Sequence, residues 1–164
     1  MKVVSKQNNS KDCLICGLQN ESGLKASFYN MEDNSVGSLF EFKYNHQSYP
    51  DRVHGGMISA LLDELAGRVL WVTDPDLVGV TGSLTVKFRK PVPYNKQLKG
   101  RGYITSRRGK IFTAKAEILD ETNIVLAEGE ATYIIIPGSQ ITTKEDLQGD
   151  LSIMVEDNIT EIDF

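Results

Sequence analysis

HGGMISALLDELAG, residues 54–67, carries the clearest helical pattern in the chain. Met57, Ile58, Leu61, Leu62, Leu65, Val69 and Leu70 recur around most of a helical circumference. That spacing predicts one deeply buried helix over Gly55 to Val72, stopped by Thr73-Asp74-Pro75-Asp76. Upstream, Leu24 to Asn30 and Val36 to Tyr44 read as strands separated by the turn residues of MEDNS. Phe40 and Phe42 alternate with Glu41 and Lys43, the two-residue period of a half-buried strand. A loop around Pro50 leads into the helix. Downstream come four strand-like runs, Val78 to Lys90, Gln97 to Arg107, Lys110 to Asp120 and Ile124 to Ile136. RRGK at 107–110 and DETN at 120–123 have hairpin-turn chemistry. Two strands, a helix and four strands give an α+β class, with one long central helix packed on a six-stranded antiparallel sheet. The domain expected is 23–137, with a polar arm at 1–22. An acidic tail at 138–164 reads equally as disordered or as a short docking helix.

The bulk properties suit one soluble globular domain. The chain has 164 residues, 40% hydrophobic and 24% charged, enough to build a core without staples. The segment MKVVSKQNNSKD lacks an apolar secretory stretch, and no apolar run is long enough to span a bilayer, so the expectation is a cytoplasmic protein with no membrane partner. Net charge is −4, but unevenly spread. From residue 141 on, Lys144 stands alone against Glu145, Asp146, Asp150, Glu156, Asp157, Glu161 and Asp163, which leaves the body mildly positive. That is too little for a nucleic-acid surface and better suited to a small anionic ligand. Cys13 and Cys16, in CLICG, admit a half zinc site or a redox pair as well as two reduced structural thiols. No second cysteine pair completes a zinc set and no βαβ pattern surrounds them, so the structural reading is favoured and no metal is expected.

The polar residues of the helix separate into two roles. Glu64 and Arg68 are four apart with the acid first, the favourable order for a structural ion pair. Asp63 shares its face with Gly56, Ser59, Ala60, Ala66, Gly67 and Leu70, most of them small, with no base three or four positions away. A carboxylate there is either hydrogen-bonded for structure or functional. At the helix start, His54-Gly55-Gly56 leaves first-turn N–H groups open to a ligand oxygen, which is the arrangement of an oxyanion hole. A tight strand-to-helix turn would look the same. Gly55 and Asp63 are eight residues apart, about 12 Å along one helix. If both act on one carbonyl, they come from two chains, so a homodimer with composite sites is expected.

The segment HGGMISALLDELAG resembles the core motif of hot-dog-fold acyl-CoA thioesterases, in the branch of the phenylacetate-pathway and 4-hydroxybenzoyl-CoA enzymes. HQSYPDRV resembles the lead-in to that motif, CLICG with SGLKASFY the N-terminal segment of one subgroup, and FRKPVP a strand end of the family. The resemblance covers roughly residues 13–136. It implies hydrolysis of a CoA thioester with coenzyme A as part of the substrate and no other cofactor. By the same resemblance Asp63 is the general base or the nucleophile, and Gly55 donates its N–H to the thioester oxygen beside Gly56. His54 supports the turn, and Thr81 helps hold the water or the acid. Many members carry Asn or Gln where this chain has Ser48. Gln47 matches another subgroup and is favoured as the polar helper. Arg89, Lys90, Arg107, Arg108 and Lys110 are candidates for the CoA phosphates, or are merely solvated charges. Partners expected are an acyl-CoA and a second copy, as a dimer or dimer of dimers. The competing readings are a non-catalytic acyl-CoA-binding module, a hydratase of the same fold, and a dimer with a decayed site.

Overall fold

The computed structural model describes residues 1–151 and 153–164. Its main sheet uses β1 (Val3–Lys6), β2 (Ser27–Met31), β3 (Val36–Phe40), β6 (Leu77–Phe88), β7 (Leu98–Arg108), β8 (Ile111–Leu119) and β9 (Val125–Pro137). Between β3 and β6 lie a small hairpin, β4 (Gln47–Tyr49) with β5 (Arg52–Val53), and the long helix α1 (Gly55–Arg68). A single 3-10 turn, Val69–Val72, ends the expected helix. The sheet is antiparallel in the order β1-β2-β3-β7-β8-β9-β6. The last three long strands form the expected meander. Its turns use left-handed backbone at Gly109 (φ 58°) and Asn123 (φ 66°), residue types that tolerate it.

Helix α1 lies across β6 to β9, with Leu61, Leu62 and Leu65 fully buried on the sheet. Two glycines of β7 make this approach possible. A Cβ on Gly100 would stand 2.6 Å from a Leu65 methyl, and one on Gly102 would stand 2.6 Å from the Leu65 carbonyl oxygen. The second neighbour is helix backbone and cannot rotate away. Gly102→Ala is therefore expected to lower unfolding free energy by about 1–3 kcal/mol, the usual range for overpacking. Urea melts would measure it, and an unchanged midpoint would mean that the helix lifts freely from the sheet.

Among the described residues the sheet has seven strands where the sequence reading expects six, and the extra one lies in the expected polar arm. Val3–Lys6 pairs antiparallel with β2. The acidic tail holds it from the other side. Val3 N–H donates to the Thr160 carbonyl, and Met1 and Ile162 exchange backbone bonds. Tyr29, Met31 and Ile162 form a second small core there. Polar contacts complete the clasp: Lys6 Nζ lies 2.6 Å from Asp157, and the Tyr29 hydroxyl donates to the same carboxylate at 2.7 Å. The tail also contains a short helix, α2 (Lys144–Asp150). Among the described residues, no helix is long and apolar enough to cross a membrane.

The clasp should respond to acid. Burial alone would raise the Asp157 carboxyl, but Lys6, the Tyr29 hydroxyl and the Ile159 N–H outweigh it and hold it below the usual range. A carboxyl lowered in the folded state contributes stability above its unfolded value, near pH 3.9, and loses it as pH falls through the folded one. Amide exchange at Val3 and Ile162, corrected for the intrinsic rate, should accelerate below about pH 4 while the meander stays protected. Parallel loss of protection in both regions would exclude a local clasp.

Candidate active site

Asp63 sits half-buried on α1, where its carboxylate accepts from two hydroxyls. Thr81 Oγ1 donates at 3.0 Å to Oδ1 and 3.2 Å to Oδ2. Tyr133 donates at 2.9 Å to Oδ1 and 2.8 Å to the Asp63 carbonyl. Both hydroxyls come from neighbouring strands in register, since Thr81 on β6 faces Tyr133 on β9. Next to Thr81, the β6–β9 pairing shifts by one residue at Gly82, a bulge of the kind that re-aims side chains beside functional sites. Tyr133 is itself fixed by stacking on Phe112, with ring centroids 4.7 Å apart. Burial, and then the neighbouring Asp63 charge, push its phenol far up, so it stays protonated and acts as a donor. Asp63, Gly67, Trp71, Val78, Thr81 and Tyr133 line a cleft of about 170 Å³.

The start of α1 forms the other half. His54 is the N-cap, and its Nδ1 accepts from the Gly56 N–H at 2.9 Å. An accepting Nδ1 places the ring proton on Nε2. The His54 carbonyl takes the N–H groups of Met57 and Ile58. Among the described residues, this leaves the Gly55 N–H without a protein acceptor. Gly55 lines a broad cleft of about 430 Å³, together with Arg52, Ile58, Phe88, Arg89 and Lys90. A free N–H at a helix start can receive an anionic or carbonyl oxygen.

The other candidate residues fall at both ends. Gln47 and Ser48 are consecutive on β4, so their side chains point to opposite faces of the hairpin; Gln47 is half-buried and Ser48 exposed. Neither makes a side-chain hydrogen bond among the described residues. Arg89 is tied to Glu128 at 2.6 Å, whereas Lys90 beside it has no ion pair among the described residues. Arg107 is tied to Asp74 at 2.6 Å, near the far end of the helix, and Arg108 follows it at the tip of the β7–β8 hairpin. Within one chain, Arg89 and Lys90 therefore flank Gly55, while Arg107 and Arg108 lie towards the opposite end of α1. The pair Glu64–Arg68 forms as its spacing suggests, at 2.7 Å, but with Arg68 only 2% exposed. Tyr133 is the site residue that sequence reasoning missed. A tyrosine on the inward face of a strand needs a partner for its hydroxyl, and that was the available signal.

Residues 51–127 match the model of the thioesterase superfamily. The fold is the hot-dog fold of that superfamily. One structure of a thioesterase superfamily protein superposes with a TM-score of 0.70 at 23% identity, over 76% of this chain and 63% of that one. A hypothetical thioesterase from Streptococcus pneumoniae TIGR4, crystallised with coenzyme A, gives a TM-score of 0.62 at 18% identity, over 68% of this chain and 89% of its own. Among curated proteins, acyl-coenzyme A thioesterase THEM4 of Rattus norvegicus is 31% identical over 68 residues, which are 42% of this chain. The match spans 28% of that relative's length. The superfamily match contains α1 whole, with Gly55 and Asp63, and all of β6 with Thr81; Tyr133 lies beyond it.

Proposed function

We propose that the chain hydrolyses acyl-CoA thioesters as a homodimer, each site combining Asp63 of one copy with the Gly55 N–H of the other. The observation that carries this is one helix with a hydroxyl-held carboxylate at Asp63 and an unused N–H eight residues away. The Gly55 N–H polarises the thioester carbonyl and holds its oxygen as charge develops. Asp63, oriented by Thr81 and Tyr133, takes a proton from the attacking water or attacks the carbonyl itself. His54, with Nδ1 occupied as the cap, acts by shaping the turn rather than by moving protons. Gln47 or Ser48 supplies a further polar contact. Lys90 and Arg89 at one end, and Arg107 and Arg108 at the other, are the cations available to CoA phosphates.

Two features support the dimer. β6 is a twelve-residue edge strand whose outer side pairs with no strand among the described residues, and long open edges are sites of strand addition. Val80, Ile134 and Ile111 lie next to one another across β6, β9 and β8 and are 41%, 49% and 51% exposed, an apolar stripe leading from that edge. That a related thioesterase was crystallised with coenzyme A supports the ligand class. The test is a panel of aliphatic and aromatic acyl-CoA esters followed by detection of released thiol, with sedimentation of the same sample. Thiol release from a dimer is the expected result. Saturable binding of every ester without release would replace the enzyme with a binding module, and a fully active monomer would remove the composite site.

A further inference from the structure

The turn Cys13–Gly17 is built tightly. The Gly17 N–H donates to the Cys13 carbonyl at 2.8 Å, and a Cβ on Gly17 would stand 2.3 Å from that oxygen. Only glycine closes the loop this closely. Asn9 Nδ2 holds the Cys16 carbonyl at 2.7 Å from below, and Ser10 Oγ accepts the Cys13 N–H at 3.2 Å. The result places Cys13 Sγ, Cys16 Sγ and a Glu64 carboxylate oxygen all within 4.8 Å of one another. The thiols are unequal: Cys13 is partly accessible, while Cys16 is 1% exposed. Cys13 Sγ also accepts the Ile15 N–H at 3.3 Å.

We propose that Cys13 and Cys16 are a redox-active dithiol, with Cys13 the attacking thiol and Cys16 the resolving one, that exchanges with low-molecular-weight disulfides. Accessible and buried thiols in one closed turn divide the two roles by geometry. The electrostatics agree with the division. The hydrogen bond donated by the Cys16 thiol brings Cys13 down to about 6, against burial and the Glu64 charge, which both raise it. Donating that bond pushes Cys16 up, and burial adds to the rise. A thiolate at neutral pH beside a protonated partner is the state that starts exchange. A metal would face a less favourable set, because Glu64 already accepts from the Arg68 Nε–H at 2.7 Å and the buried guanidinium opposes a second cation.

The exchange balances. The Cys13 thiolate attacks one sulfur of a disulfide RSSR, forming a mixed disulfide and releasing RS⁻. Cys16 gives its proton to that thiolate and attacks Cys13 Sγ, which releases the second RS⁻. The protein loses two electrons, and RSSR becomes one thiol, protonated by Cys16, and one thiolate, which takes any further proton from water. The turn packs on α1 at Glu64, the neighbour of Asp63, so the bond forms against the helix that carries the proposed site. The inference does not depend on thioester hydrolysis.

The test is to incubate the reduced protein with oxidised glutathione, then alkylate and measure intact mass. The wild type should lose two hydrogens, resist alkylation at both cysteines and recover with dithiothreitol. Cys16→Ser should stop at a glutathione adduct on Cys13, and Cys13→Ser should form no cross-link. In the reduced wild type, iodoacetamide should take Cys13 first, at a rate that is half-maximal near pH 6 and then levels off. Undiminished alkylation after saturating oxidised glutathione would overturn the proposal, as would an adduct on Cys16 first. Thiols that react only after a chelator is added would make the pair a metal ligand set instead. The wild-type titration stands alone if either serine variant fails to fold.

Discussion

Replacing Asp63 with asparagine is expected to lower kcat for thioester hydrolysis by about 10²–10⁴, the usual contribution of a positioned acid–base group. KM should stay close to its starting value. The substitution is chosen for what it leaves intact. The amide oxygen of asparagine can still accept from the Thr81 and Tyr133 hydroxyls that hold Asp63 at 3.0 and 2.9 Å. The Tyr133 bond to the residue 63 carbonyl is untouched. What disappears is the ability to take a proton or to form a bond to the acyl carbon. The same variant leaves Glu64 on Arg68, so the buried cation keeps its partner. A loss smaller than about threefold would show that the carboxylate is only a structural acceptor for the two hydroxyls. Single turnover in ¹⁸O-water then separates the two chemical roles. A nucleophilic Asp63 acquires label when water attacks its own carboxyl carbon, and a general base does not.

How much of this was legible beforehand depended on the range of the interactions involved. Helix α1 and the strands β6 to β9 follow from local pattern, because each carries its own period and its own turn residues. The Glu64–Arg68 pair follows from spacing, but its burial does not. Arg68 is closed over by Phe28 and Trp71, with the guanidinium 4.2 and 4.8 Å from their ring centres. The few tenths of a kcal/mol usual for an exposed pair therefore understate it, and removing one partner of a buried pair costs several times more. Val3–Lys6 escapes the pattern because its apolar content is two valines among polar neighbours. Its place in the sheet is set by a tail more than 150 residues away, through Thr160 and Asp157. Tyr133 is hidden in the apolar run ATYIII. Its role depends on the register that sets it opposite Thr81, and that register passes through a bulge. The separation of Arg89 and Lys90 from Arg107 and Arg108 is likewise a property of topology, since the two pairs sit at opposite ends of antiparallel strands.

Gly55→Pro is expected to fold normally and to lose about 10²–10³ in kcat, the cost of deleting one oxyanion donor. Proline suits the first position of a helix, where its missing N–H and fixed φ do least harm. The preceding residue is already compatible, since His54 has φ −65° and ψ 134°, the extended backbone that a following proline requires. The deleted N–H bonds to nothing in the chain among the described residues, and the closest atom to a new Cβ is the ring of Phe88 at 3.4 Å, on a side chain 55% exposed and free to yield. Activity and stability should therefore separate in this variant. Mixed dimers turn the separation into a test of architecture. If one chain carries Asp63→Asn and its partner Gly55→Pro, a composite arrangement puts both lesions into one site and leaves the other with an intact Asp63 and an intact Gly55. Purified heterodimers should then recover up to half of the wild-type rate, although each parent homodimer is nearly inactive. Sites contained within single chains predict no recovery, because every chain in the heterodimer is damaged. The eight-residue separation along α1 favours recovery, since a thioester carbon too small to bridge about 12 Å can be reached by both groups only when a second helix brings one of them across the interface.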